Sequence, residues 1–191
     1  LDNPRSKRPD TKFWTFEEFK KVISTFNLTD YEDLHRYTVI WVYYMTGVRV
    51  SEGFSLIWSD CDLENKRLFV HSTLEVFKGG IHHRKEHTKT DAGIRFIDLD
   101  DETVKVLNRW RKVQISNSDD DYILSKFGSP MVKSTLTRML KRHAKLAEVP
   151  EITGKGLRHS HDSFMINVLG KDVLSVSQRS GRIDKATTLN T

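Results

Sequence analysis

The sequence predicts an α+β protein, mostly α, with one small antiparallel three-stranded sheet set among helices. Three observations carry this. Apolar residues recur at helical spacing through the first part of the chain; between Arg67 and Leu99 the period switches to short alternating or β-branched runs; helical spacing then returns. The chain has 191 residues and one cysteine, Cys61. A single domain of that length buries roughly 70% of its unfolded surface and needs no disulfides.

The elements follow in order. Residues 1–12 carry Pro4, Pro9, Arg5, Lys7, Arg8 and Lys12 without apolar periodicity, which reads as a linker from a missing N-terminal part. Thr15 and Glu18 form a capping box that opens a helix to about Phe26. A second box, Thr29 to Glu32, opens a helix in which Leu34, Tyr37, Ile40, Trp41, Tyr44 and Met45 recur until Gly47 stops it. That helix is apolar almost all round and is expected at the centre of the core. A short helix over 49–57 precedes the strands Arg67–His71, Leu74–Phe77 and Ile94–Leu99, with Glu64-Asn65, Gly79-Gly80 and Asp91-Ala92-Gly93 as turns. Helices are expected at 101–114, 132–147, 157–168 and 172–179, and Tyr122–Ser125 is a candidate extra strand.

Composition excludes several classes. The longest uninterrupted apolar run, Val39 to Met45, is seven residues, against about 20 for a membrane helix. The opening LDNPRSKRPD lacks the apolar stretch of a signal peptide, so a soluble intracellular domain is expected. Lys and Arg number 31 against 26 acids, a net +5 that leans towards a polyanionic partner. The excess is concentrated. Met131 to Ala147 holds Lys133, Arg138, Lys141, Arg142 and Lys145 and no acid, and the last four share one helical face. Like charges at that spacing repel, so an unrelieved run favours phosphate contact over a merely solvated face.

The stretch His82-His83-Arg84-Lys85-Glu86-His87 is a second cluster. Its histidine spacing matches no zinc-ligand pattern, so Arg84 and Lys85 are read as phosphate-facing, with a metal as the lesser alternative. No Walker A or GxGxxG sequence is present. Cys61 lies between Asp60 and Asp62, which oppose thiolate formation.

Three separated segments then combine: Thr46-Gly47-Val48-Arg49-Val50-Ser51-Glu52, Thr88-Lys89-Thr90 with Gly93-Ile94-Arg95 after it, and Gly156-Leu157-Arg158-His159-Ser160-His161. In this order, with about 110 residues between the two arginine motifs, they resemble the catalytic domain of the tyrosine recombinases. The resemblance is strongest to integrases of temperate phages and integrative conjugative elements, and runs from residue 13 to 191.

The resemblance implies the tyrosine-recombinase catalytic-domain fold and a specific chemistry. A tyrosine attacks a DNA phosphodiester, forming a 3′-phosphotyrosine and releasing a 5′-hydroxyl, with neither metal nor cofactor. Arg49 and Arg158 would hold the non-bridging oxygens, whose charge and geometry suit guanidinium forks. Lys89 would protonate the leaving oxygen. Glu52, three residues after Arg49, would support the site, as would His159 and His161.

Three positions depart from the family pattern. Lys155 stands where histidine is most often found, and can still donate to phosphate. Arg182 stands where histidine or tryptophan is usual, and cannot act as an acid-base group at neutral pH. The run Thr188-Leu189-Asn190-Thr191 ends the sequence where the nucleophilic tyrosine is expected next, so the chain as given is expected to be unable to cleave DNA. The implied partners are double-stranded attachment-site DNA and, for the intact protein, three further copies in a tetramer, in the cytoplasm at a bacterial nucleoid. Three rivals stay open: a non-catalytic DNA-binding or architectural protein of the same fold, a type IB topoisomerase, and a metal-dependent nuclease using His82, His83 and His87.

Overall fold

The computed structural model describes residues 11–86 and 93–181. Most of the expected linker, the Lys89 turn with His87, Arg182 and the Thr188–Thr191 run lie outside the described residues.

The first helix, α1 (Phe16–Ile23), starts where the sequence places it. Thr15 Oγ1 accepts from the Glu18 amide and the Glu18 carboxylate accepts from the Thr15 amide. The second, α2 (Tyr31–Thr46), is capped one residue later than expected, by Asp30 accepting from the Asp33 amide at 2.8 Å. Asn27 accepts from Thr29 instead, which removes that hydroxyl from the cap. As its pattern requires, α2 is buried on nearly every side: Val39, Ile40, Val42, Tyr43 and Tyr44 are all sequestered, and Tyr44 stacks on Phe19 at 3.6 Å. Gly47 ends it in the left-handed region at φ 65°.

After α3 (Val50–Ser55) and a 3-10 turn at Trp58–Asp60 come five short strands: β1 (Cys61–Asp62), β2 (Arg67–Val70), β3 (Ser72–Val76), β4 (His82–Glu86) and β5 (Arg95–Asp98). All pairings are antiparallel, but they form two units. The three-stranded sheet has the order β1-β2-β5, and among the described residues β3 pairs only with β4. The expected run at 74–77 therefore leaves the three-stranded sheet, and the basic, histidine-rich 82–86 stretch is its partner. Nothing in HHRKE alternates in hydropathy, because that ribbon edge is largely exposed, so the period that marks a half-buried strand is missing. Tyr122 makes only an isolated bridge to Ile57 rather than a strand.

Helices α4 (Asp101–Val113), α5 (Lys133–Leu146), α6 (Gly154–Ser163) and α7 (Val173–Arg179) complete the fold, with α6 continuing as a π-helical segment over Phe164–Val168. Helix α6 begins three residues before the expected start, because Thr153 caps it at the Gly156 amide. Gly154 is needed there: a Cβ would sit 2.4 Å from Val50 Cγ2, so only glycine lets α6 approach α3 this closely. No helix among the described residues is long and apolar enough to cross a membrane.

Candidate active site

The site is assembled where the C-terminus of α2, the N-terminus of α3 and the length of α6 meet. Gly47 is the joint. Its left-handed turn releases the chain into Arg49, the residue before α3, and its carbonyl accepts from Arg158 Nη1 at 3.0 Å. Behind it lies the fully buried His161 ring. Nδ1 is 2.8 Å from the Tyr44 carbonyl, and Arg179 Nε donates to Nε2 at 3.3 Å. A carbonyl can only accept and an arginine only donate, so these partners assign the proton to Nδ1 and leave a neutral ring.

Arg49 and Glu52 form a closed loop at the head of α3. The Glu52 carboxylate accepts from the Arg49 amide at 2.7 Å and from Arg49 Nη1 at 2.6 Å. Arg95, from β5, grips both oxygens of the same carboxylate, at 3.2 and 2.9 Å. Glu52 is fully buried, whereas 43% of the Arg49 side chain is exposed and faces the cleft. Burial alone would raise the pKa of Glu52. The Arg95 guanidinium, with Arg49 beside it, overrides that and holds the carboxyl at about 2, well below the ordinary 4.5. The acid is thus a fixed anion that orients two arginines and shows nothing to solvent.

Arg158 lies on α6, almost fully buried, with its head pointing between Gly47 and the end of α7. The end of α7 has a distinctive arrangement. Three consecutive carbonyls each accept from a different guanidinium: Arg179 from Arg95 at 2.7 Å, Ser180 from Arg158, and Gly181 from Arg49 at 2.6 Å. Two of these arginines, Arg49 and Arg158, also line a cleft of about 730 Å³, together with Lys133, Lys155 and apolar Val50, Phe54, Leu74 and Leu136. Four cations beside apolar side chains are a lining suited to an anion.

The phage integrase family model matches residues 12–190, almost the whole sequence. The chain belongs to the phage integrase family. It is 30% identical over 191 residues to the ICEBs1 integrase of Bacillus subtilis (strain 168), covering 96% of this chain and 50% of that one. Against the integrase of Staphylococcus phage L54a it is 26% identical over 204 residues, covering 96% and 56%. Among solved structures it superposes on the Tn1549 transposon integrase in complex with transposon right end DNA, with a TM-score of 0.76 and 25% identity, covering 100% of this chain and 63% of that one. The chain spans about half the length of the curated relatives it matches.

Within this integrase fold the residues singled out in the sequence separate into groups. Arg49, Lys155 and Arg158 line the one cleft, and Glu52 lies directly beneath it. His161 steadies α2 against α7, and His159 is buried on the same helix. Arg138, Lys141, Arg142 and Lys145 are exposed on α5, with Lys141 3.9 Å from Glu151. Arg84 is placed differently from its expected role. Its Nη2 is 2.8 Å from the Asp60 carboxylate and its Nε donates to the Ser55 carbonyl, so it fastens the β3–β4 ribbon to the body of the domain. Lys85 makes a surface pair with Glu75. Lys89 and Arg182 lie outside the described residues.

Among the described residues no three His, Cys, Asp or Glu side chains come together as a metal site. Burial, with Asp62 and Asp60 adding to it, pushes the Cys61 thiol up to about 12. All five tyrosines in the sequence are placed away from the cleft lining, and Tyr43 donates its hydroxyl to the Val50 carbonyl. Two residues of this arrangement were given no place in the site by the sequence: Arg95, seen only after the Lys89 motif, and Lys133, seen only in the basic run of α5. Arg95 carried a signal: in β5 it shares the face of buried Ile97 and alternates with exposed Phe96, and an arginine on the inward side of a strand requires a buried acid.

Proposed function

We propose that this domain is the catalytic domain of a site-specific DNA recombinase that breaks and rejoins double-stranded attachment sites through a 3′-phosphotyrosine intermediate. The observation that carries this is the convergence of Arg49, Arg158 and Lys155 on one cationic cleft, with Arg49 held from below by a buried carboxylate. A phosphodiester under attack gains charge on its non-bridging oxygens, and two fixed guanidiniums aimed at that charge need no reorganisation as it grows. Lys155, exposed at the cleft rim on the first turn of α6, adds a third donor where the family more often has histidine.

In this reading a tyrosine hydroxyl, expected at the residue after Thr191, attacks phosphorus and gives up its proton to solvent. The bond to the 5′-oxygen breaks, and Lys89 gives that oxygen its proton. The phosphotyrosine ester conserves the bond energy, so a second 5′-hydroxyl can reverse the step on a new strand without ATP or metal. Arg182 would donate a hydrogen bond to a phosphate oxygen and not act as an acid. Residues 13–191 would be the catalytic unit of a longer protein whose N-terminal part also binds DNA, working as a tetramer on its sites at the bacterial nucleoid. The Arg138/Lys141/Arg142/Lys145 face of α5 would follow the DNA backbone, and Lys85 would add a contact from the ribbon.

The test is a covalent-adduct assay with the full-length protein. Arg158→Ala and Arg49→Ala should each lower adduct formation by ~10² or more while DNA binding survives. A protein that binds the same DNA but has no tyrosine at or near the position after Thr191, and forms no adduct, would instead be a DNA-binding member of the fold. Arg182 is the residue that favours that second reading.

A further inference from the structure

We propose that Arg95 is a positioning residue for DNA cleavage, acting on Arg49 through Glu52 and not on the phosphate itself. The inference rests on the recombinase reading above and adds a residue to it.

The geometry is that of a clamp. Arg95 has only 8% of its side chain exposed and reaches no solvent-facing part of the cleft lining. All three nitrogens of its head are engaged: Nη1 and Nη2 by the two Glu52 oxygens, Nη1 also by the Gly93 carbonyl at 3.2 Å, and Nε by the Arg179 carbonyl at 2.7 Å. Glu52 in turn presents its carboxylate to the Arg49 amide and to Arg49 Nη1. The Arg49 head therefore inherits its direction from a carboxylate whose own orientation Arg95 sets from behind.

The second contribution is charge. A lone Arg49–Glu52 pair would be neutral, and an arginine neutralised by its own carboxylate has little left for a phosphate. With Arg95 present, two guanidiniums share one carboxylate and the trio keeps one net positive charge. Glu52 can then orient Arg49 without cancelling it. The third contribution is mechanical. The same guanidinium ties β5 to the end of α7, whose next two carbonyls receive Arg158 and Arg49. One residue thus fixes the spacing between the two elements that flank the arginine pair.

The experiment uses the full-length protein and a nicked duplex carrying the sequence that footprinting shows it protects. Single-turnover adduct formation is read alongside the Kd for the same duplex. Arg95→Met should slow adduct formation by ~10²-fold, because a misplacement of about 1 Å at a catalytic group costs that much. Its Kd should change by less than about threefold, because Arg95 does not touch DNA. In a Glu52→Gln background the Arg95→Met penalty should shrink by about tenfold or more, leaving only what the tie to the Arg179 carbonyl contributes, because the rest of the two changes breaks one chain of action. A residue that merely stabilised the sheet would slow the reaction equally in both backgrounds. Arg95→Lys keeps the charge but not the two-oxygen grip, and should fall in between. Should Arg95→Met fail to fold, Arg95→Lys carries the test, with a rate about tenfold down and an unchanged Kd.

A wild-type rate in Arg95→Met, or in Arg95→Lys where the methionine variant does not fold, overturns the proposal. So does an equal loss with and without Glu52. If the wild-type protein itself forms no adduct, the recombinase reading falls and the inference falls with it. Adduct formation by wild type and by Arg95→Met at the same rate removes the inference alone.

Discussion

Replacing Gly47 with alanine tests how the arginine pair is held. Two costs are expected at this position. The backbone sits at φ 65°, where an L-residue is strained by roughly 1–2 kcal/mol. The new Cβ would also lie 2.3 Å from His161 Cδ2 and 2.8 Å from Cγ. That ring has nowhere to go, because it is fully buried and both its nitrogens are engaged, by the Tyr44 carbonyl and by Arg179. Overpacking of this kind costs about 1–3 kcal/mol. The sum is about 2–5 kcal/mol, or some 5–15 °C in Tm for a domain of this size. Gly170 supplies the control. It has nearly the same φ, 63°, and no heavy atom within 4 Å of its added Cβ, so Gly170→Ala should show the backbone cost alone. Urea denaturation of the two variants side by side measures the difference, expected at about 1–3 kcal/mol against Gly47→Ala. Equal losses would refute the claim that His161 is wedged against the turn.

Other outcomes follow from the same geometry. Glu52→Gln should destabilise the domain by about 3 kcal/mol at neutral pH, since a carboxyl lowered from 4.5 to about 2 carries about 1.4 kcal/mol per unit. A depressed carboxyl stabilises above its unfolded pKa and loses that as pH falls. The gap between wild type and Glu52→Gln should therefore be constant above about pH 5 and close between there and pH 2, as urea titrations would show. Arg142→Glu should weaken binding to a generic duplex and reduce the slope of log K against log salt by about 1–2; an unchanged slope would remove α5 from the interface. Cys61, its thiol pushed up to about 12, should resist a thiol reagent at pH 8 in the native domain and react once urea unfolds it.

Local signals were well written in the sequence. The Thr15–Glu18 box, the all-round apolar α2 and the stop at Gly47 each depend on residues within one or two turns of each other, and each is found in place. The segments that carry Arg49, Lys155 and Arg158 are equally local, and the fold brings these three side chains to one cleft. Pairings across long stretches of chain were not. Arg84 was read as facing phosphate because its neighbours are basic, yet its charge is taken by Asp60, buried 24 residues earlier. The sheet was misdivided because β4 has no buried face to print an alternation into the sequence. Arg95 had a motif but no role until its carboxylate partner, 43 residues away, came into view.

The three carbonyls at the end of α7 bear on how an arginine cluster can be both ordered and strongly positive. Guanidiniums left to themselves scatter, since like charges repel and long side chains have many rotamers. Pairing each with its own acid would align them and extinguish the field they exist to create. Backbone carbonyls avoid that dilemma, because they accept a hydrogen bond while carrying only a partial charge. Arg49, Arg95 and Arg158 are aligned by peptide groups at residues 179–181, with a single carboxylate shared between the first two. The cleft is therefore wired for order by neutral dipoles, and its positive potential is left for whatever anion enters.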